Sequence, residues 1–373
     1  VQRFGTDDVL PLWIADIDFK VPKAVTEALK ERIDHGAFGY TLLPTGYKEA
    51  VNGWLKRRHN YTVDPRHIRL SGGVVTAFYN AVSAFTNVGD SIMILTPVYP
   101  PFHSAPEDTS RHLITSALVQ DTAGRYTMDF TDIEEKIKAH KVQLLIFCNP
   151  HNPVGRVWTE EELNTLFAIC ERHDVLIVSD EIHQDFFFKP HYFTPALTVN
   201  EGHYANRIIS LFSTSKSFNL ASLPIAHVVI PNKALRLTYD SFVKSIDHNP
   251  LSVLNLVATQ AAYEEGDEWF DALKDVIYSN YELFKNKLLE AAPKLVISPL
   301  EGTYLSWVDF SAYIGDQDST DFLLHTCKLG LNYGALFGSQ CKSFARFNLG
   351  TTPEVVEEAA NRIIKGIQSL SLN

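Results

Sequence analysis

The sequence predicts an α/β protein: a large unit built on a mostly parallel sheet between helices, followed by a smaller α+β unit. Three observations carry this. Short apolar, β-rich runs alternate with helical segments from residue 68 to about residue 230, the pattern of a largely parallel sheet covered on both faces. Past Pro250 the rhythm changes to long helical periodicity, then two strand-like stretches and a terminal helix. A lysine among hydroxyl residues, in Ser213-Thr214-Ser215-Lys216-Ser217-Phe218-Asn219, directly follows the apolar run Ile208–Phe212. That places it at the carboxyl edge of a sheet, where open α/β sheets bind ligands.

In chain order, residues 10–19 are extended and apolar and read as an arm laid on the body. Residues 22–33 read as a first helix, with Val25, Ala28, Leu29 and Ile33 on one face. A glycine-rich turn, Gly36-Ala37-Phe38-Gly39-Tyr40, presents two aromatics before a second helix, Tyr47–His59. Strands are expected at 68–70, 92–95, 113–117, 142–147, 175–178, Ile208–Phe212 and 226–230. The clearest helix between them is 159–173, where Thr159-x-x-Glu162 forms a capping box and Leu163, Leu166, Phe167 and Cys170 form one apolar stripe. Helices at 251–263 and 269–291, strands at 304–310 and 344–349, and a helix at 353–370 complete the chain. The expected division is an arm at 1–21 joining the small unit, a large unit at 22–255 and a small unit at 256–373.

A chain of 373 residues exceeds one compact core and suits a two-domain enzyme. A net charge of −11 argues against a nucleic-acid surface, which needs clustered Lys and Arg. No apolar run reaches the length of a membrane span. The opening Val1-Gln2-Arg3 has no basic or apolar leader pattern, so no signal peptide is expected, and without an initial Met further upstream residues are expected. The four cysteines show no C-x-x-C spacing and the histidines no metal pattern. A cytoplasmic, metal-free protein with reduced thiols is the expectation.

Several local patterns suggest chemistry. Lys216, flanked by apolar segments, is a candidate amine nucleophile whose hydroxyl neighbours suit a phosphate; alternatively it is a surface lysine in a Ser/Thr loop. Ser71-Gly72-Gly73-Val74-Val75 opens a helix and offers bare N–H groups to an anion, or is a plain Gly-Gly turn. Two Asn-Pro pairs in Cys148-Asn149-Pro150-His151-Asn152-Pro153 make a stiff loop that fixes the Asn152 amide toward a ligand, or a purely structural turn. Asp180 ends an apolar strand and needs a cationic partner, such as a protonated pyridine nitrogen, or acts as a helix N-cap. Arg346, inside the apolar run Phe344-Ala345-Arg346-Phe347-Asn348, suits a carboxylate clamp or an internal salt bridge. Phe102, Tyr304 and Phe337 are expected to wall the pocket.

Taken together, Ser-Gly-Gly, Asn-Pro-His-Asn-Pro-x-Gly, Ser-Asp-Glu-Ile-His and Ser-x-Ser-Lys-x-Phe-Asn resemble the motifs of fold-type-I pyridoxal-phosphate enzymes of the class I/II aminotransferase superfamily. Leu-Trp-Ile-Ala-Asp-Ile-Asp-Phe at 12–19, Phe-Gly-Tyr at 38–40, Thr-Pro-Val-Tyr-Pro-Pro-Phe at 96–102 and Glu-Gly-Thr-Tyr-Leu-x-Trp at 301–307 are similar to its MalY/PatB branch, the cystathionine β-lyase-like C–S lyases. The resemblance spans essentially the whole chain. It implies pyridoxal 5'-phosphate as cofactor, a covalent link to Lys216 and proton transfer at the substrate Cα by the same lysine. It further implies Asp180 on the pyridine nitrogen, Asn152 on the phenolic oxygen and Tyr99 stacked on the ring. The amides of Val74 and Val75, with Ser213 and Ser215, would hold the phosphate, and His183 would sit beside the cofactor. Arg346 would bind the carboxylate of a small amino-acid substrate, assisted by Asn152 and Tyr99. Tyr40 would reach the phosphate of a neighbouring subunit, implying a homodimer with shared sites. Two positions depart from the common aminotransferase pattern: Pro224 stands where an arginine usually follows the lysine, and His183 where a tyrosine is usual. Both fit the lyase branch, which implies β-elimination from a cysteine thioether, with transamination as the alternative. A regulatory role through protein contacts has no surface motif behind it.

Overall fold

The structure is a computed structural model that describes residues 4–5, 8–247 and 252–370. The first three residues and Leu251, expected to begin a helix, lie outside the described residues. A seven-stranded sheet forms the body, in the spatial order Ile68–Ser71, Ala226–Val229, Ile208–Phe212, Leu176–Asp180, Val142–Cys148, Ser91–Thr96, His112–Ala117. Every strand but one points the same way. Ala226–Val229 is antiparallel to both its neighbours, which the alternating pattern did not reveal, because the four-residue helix Thr214–Ser217 and the irregular stretch 218–225 leave no period to read.

Alternate residues of the central strands feed two cores, as a period of two requires. Ile146, Val178, Ile209 and Val228 pack with Phe78 and Val82 of helix Val74–Phe85 on one face. Leu145, Phe147, Ile177 and Phe212 pack with Leu163, Leu166 and Phe167 of helix Glu160–Arg172 on the other. That helix begins as its sequence implies. The Thr159 hydroxyl accepts the Glu162 N–H at 3.2 Å, and the Glu162 carboxylate accepts the Thr159 N–H at 2.9 Å. Helix Lys23–His35 starts after Pro22; Val25 is buried but Ile33 is about half exposed, so the apolar face expected there stops short of the helix end.

The C-terminal part holds a four-stranded antiparallel sheet, in the order Val296–Ile297, Leu305–Asp309, Phe344–Asn348, Asn332–Tyr333. Its two outer strands are two residues long, too short to show a period in the sequence. Helices Asp267–Ala291 and Pro353–Leu370 pack together over it. Helix Val253–Glu265 runs unbroken through the boundary expected at 255 and packs on helices Lys23–His35 and Tyr47–His59. The N-terminal segment pairs Leu10–Pro11 with Leu329–Gly330 in parallel. All four cysteines are buried and free. Among the described residues no helix is long and apolar enough to cross a membrane, and no group of three or more His, Cys, Asp or Glu could hold a metal ion.

A buried ion cluster ties the two sheets together. Glu301 accepts from Arg156 Nε at 2.8 Å and Arg125 Nε at 2.6 Å, while Arg156 also reaches Glu162 at 2.6 Å. Arg156 lies in the loop after Val142–Cys148, and Glu301 just before Leu305–Asp309. The Glu301 and Gly302 N–H groups both bond the Gly155 carbonyl, at 3.0 and 2.8 Å. Removing one member of a buried ion pair leaves an uncompensated charge, which costs about 3 kcal/mol or more. Glu301→Gln is therefore expected to lower the thermal midpoint by several degrees, read by circular dichroism, whereas Lys23→Ala, which breaks an exposed pair with Glu27, leaves it within a degree or so of the parent.

Candidate active site at the carboxyl edge of the large sheet

Because the parallel strands all end on one edge, the segments that follow them converge there. Helix Val74–Phe85 begins directly after Ile68–Ser71 and Gly72-Gly73. Gly73 has φ +136°, a conformation that disfavours any side chain, and no side chain caps the helix. Its first N–H groups face a cavity of about 430 Å³. Tyr99 follows Ser91–Thr96, and Asn152 lies in the loop after Val142–Cys148. Asp180 is the last residue of Leu176–Asp180, and the short helix Thr214–Ser217 carries Lys216 at the end of Ile208–Phe212. Pro224 and Ile225 come in from the start of the antiparallel strand. Arg346 reaches in from the centre of the small sheet.

Every residue expected to hold cofactor or substrate lines this cavity except Tyr40. Tyr40 is fully exposed and lines a separate surface hollow with Phe38, Val253 and Leu254. Phe102, Tyr304 and Phe337 are fully buried and stand behind the wall rather than in it. The apolar wall is instead Trp13, Ile14 and Ala15, with Tyr99 and Ile182. Asn332 was also missed; its amide bonds the Trp13 carbonyl at 3.0 Å. The arm's contribution is legible only as an apolar extended run, since what it lays against the site is largely backbone.

The arm is held over the cavity by side chains of the site itself. Lys216 Nζ donates to the Ala15 carbonyl at 2.6 Å, which also accepts from the Tyr304 hydroxyl at 2.8 Å. Arg346 donates to the Trp13 carbonyl at 2.8 Å and to Asn152 Oδ1 at 3.1 Å. Asn348 bonds the Ile14 and Asp16 carbonyls, both at 2.8 Å. The Ser213 hydroxyl is engaged within the turn, donating to the Ile225 carbonyl at 2.6 Å and accepting the Ser215 N–H at 3.0 Å. Asp180 caps no helix; its Oδ1 accepts the Ile182 N–H at 3.0 Å across a turn.

Burial dominates the electrostatics. It pushes the Lys216 amine down to about 8, helped by the nearby Arg346 charge and opposed by Asp16 and Asp180. It pushes the Asp180 carboxyl up to about 7, against the pull of the Ile182 N–H and of Lys216. It holds His183 well below the usual histidine range, and Lys216 and Arg346 add to that. The cavity therefore offers an amine and a carboxyl whose protons come off at about 8 and about 7, a neutral imidazole and a permanent guanidinium. Such shifts, gathered in a cleft, mark functional sites.

A model of the family described as aminotransferase class I and II matches residues 7–363. The chain belongs to this family. Within it, the chain is 39% identical over 366 residues to the cystathionine beta-lyase PatB of Bacillus subtilis (strain 168), covering 97% of this chain and 93% of PatB. Protein MalY of Escherichia coli (strain K12) is 31% identical over 372 residues, covering 99% and 94%. Among solved structures, cystalysin from Treponema denticola, which contains a pyridoxal 5'-phosphate cofactor, aligns at 33% identity with a TM-score of 0.93, over 98% of this chain and 92% of that one. Members of the family thus share the whole architecture with this chain, from the arm to the last strands.

The depressed lysine has a measurable consequence. Between about pH 8 and the ordinary lysine value near 10.4, the unfolded chain binds a proton that folded Lys216 does not, so this residue's contribution to stability rises as pH rises. In cofactor-free protein, labelling of the Lys216 amine, followed by peptide mass spectrometry, is expected to climb through about pH 8. Arg346→Ala removes a like charge and moves that midpoint upward.

Proposed function

We propose that this protein is a pyridoxal-phosphate-dependent carbon–sulfur lyase. It eliminates the thiol from an L-cysteine thioether such as cystathionine, and water completes the reaction to give the thiol, pyruvate and ammonia. The observation that carries the reading is the convergence of Lys216, Asp180 and Arg346 on one cavity in a chain 39% identical to PatB along nearly its full length.

The cavity residues fit the cofactor. An uncapped helix N-terminus with the Val74 and Val75 amides, and the Ser215 hydroxyl beside it, suits a phosphate. Ser213 would act by shaping this turn. A buried carboxyl at Asp180 suits a protonated pyridine nitrogen, Tyr99 offers a ring to stack on, and Asn152 offers an amide to the phenolic oxygen. His183 would supply a neutral imidazole nearby. When bound, pyridoxal phosphate supplies an electron-accepting ring for the charge left when the substrate Cα loses its proton.

The chain's own groups do the rest. Lys216, its amine brought down to about 8 by burial and Arg346, is neutral in a usable fraction near physiological pH and takes the Cα proton in that form. Asp180, ionised beside a cation, holds the ring-nitrogen proton in place. Arg346 exchanges its bonds to Asn152 and the Trp13 carbonyl for a two-pronged grip on the substrate carboxylate. Trp13, Ile14 and Ala15 keep water from that proton transfer. We further propose that the protein acts in the cytoplasm as a homodimer, with Tyr40 reaching a neighbouring subunit's site; its complete exposure supports this. The division into a unit at 22–255 and a unit at 256–373 joined by the arm belongs to the same reading.

The test is incubation of the cofactor-loaded protein with L-cystathionine alone, with pyruvate and free thiol assayed together. Sustained, equimolar release of both is expected, and Lys216→Ala abolishes it. Turnover that requires an added keto acid would make the protein an aminotransferase instead. Arg346→Lys loses the planar fork and is expected to raise KM by roughly tenfold or more, with a smaller change in kcat.

A further inference from the structure

One buried carboxylate lies outside the cavity yet touches the turn that carries the lysine. Asp185 is 2% exposed and stands five residues beyond Asp180 on the same loop. Its Oδ1 accepts from His59 Nε2 at 2.7 Å and Trp54 Nε1 at 3.0 Å, both from helix Tyr47–His59. Its Oδ2 accepts from the hydroxyl of Ser217, the residue next to Lys216. Burial alone would raise its pKa, but the His59, Ser217 and Trp54 donors outweigh burial and hold the carboxyl below its usual range. An ionised carboxylate inside a core is costly unless each lone pair is met, and here helix Tyr47–His59 fixes one oxygen so that the other faces the lysine turn.

We propose that Asp185 is a positioning residue for the reaction: through Ser217 it locks the Lys216 turn to the loop that carries Asp180, and so sets where the lysine amine stands. The inference rests on the role given to Lys216 above. The helix Thr214–Ser217 is only four residues long and cannot hold its own shape. Its side chains are anchored outward one by one: Ser213 on the Ile225 carbonyl, Thr214 on Thr259 at 3.0 Å, and Ser217 on Asp185. Of these three, the Asp185 anchor is the one that ties the turn to the Asp180 loop. Proton transfer depends on reacting atoms held within a few tenths of an ångström, and a displacement of about 1 Å costs roughly a hundredfold in rate.

The test uses cofactor-loaded Ser217→Ala, Asp185→Asn and the double variant, read by kcat and KM for cystathionine, by visible circular dichroism of the bound cofactor and by thermal midpoint. Ser217→Ala removes one hydroxyl and leaves Asp185 bonded to His59 and Trp54. It is expected to lower kcat about tenfold with KM unchanged, and to alter the visible dichroism while the thermal midpoint stays within a few degrees. The double variant is expected to be no slower than Asp185→Asn, because both changes cut one link. Unchanged kcat and dichroism in Ser217→Ala would overturn the inference, as would losses that multiply in the double variant. If the parent protein carries no visible cofactor band, the role of Lys216 falls first and this inference with it.

Discussion

The site depends on withdrawing the Lys216 amine from water while a permanent charge, Arg346, stands close by. Burial and Arg346 both oppose a charged lysine, and Asp180 and Asp16 only partly offset them. A lysine in such a place is a base in waiting. The same burial raises Asp180, so neither group is stable as an isolated charge and both favour a partner that restores balance. A phosphorylated pyridine aldehyde, with a basic ring nitrogen and an electrophilic carbon, answers both needs at once.

That environment is assembled from both ends of the chain. Arg346 comes from the small sheet and Asn348 beside it grips the arm, while the large sheet supplies Lys216, Asp180 and Asn152. The Ala15 carbonyl, shared by Lys216 and Tyr304, joins these parts in a single acceptor. The Arg156–Glu301 cluster holds the two sheets in register a short way off. Geometry at the cavity is thus set by contacts between segments remote in sequence, which makes the site sensitive to how the two sheets sit on one another.

Much of this was legible in the sequence, for definite reasons. Helix Glu160–Arg172 stood out because a capping box precedes one apolar stripe, and strand Ile208–Phe212 because its apolar run stops at a cluster of hydroxyl residues. The cavity residues stood out because each follows a strand: Val74 and Val75, Asn152, Asp180 and Lys216 occupy the one edge where such segments must meet. Arg346 was conspicuous as a charge inside an apolar run. What stayed hidden acts through backbone or through side chains common in cores. The Ala15 and Trp13 carbonyls carry no residue signature, and the pocket wall they build displaced Phe102, Tyr304 and Phe337 from the role expected of them. Asp185 carries no signature in the sequence, because what sets it apart is the contact with His59, Trp54 and Ser217, all remote from it in the chain. The reversed direction of Ala226–Val229 depends on a connection too irregular for periodicity to read.

That reversed strand bears on which parts of the site are fixed and which are free to change. The segment bearing Lys216 leaves Ile208–Phe212 and returns alongside it, with Phe212 opposite His227, while the strand ending in Asp180 lies on the other side of Ile208–Phe212. The strands that lead to Lys216 and Asp180 are therefore neighbours in one hydrogen-bonded lattice, about 4.8 Å apart, while the lysine itself stands beyond its strand on the helix Thr214–Ser217. The two strands cannot drift apart without breaking the middle of the sheet, whereas the lysine turn is held in place by side-chain anchors. The arm over the cavity is held differently, by single hydrogen bonds from Lys216, Tyr304, Arg346 and Asn348 to its carbonyls. Each of those bonds can be given up on its own, so the cavity wall can be rebuilt one residue at a time while the paired strands beneath it stay as they are.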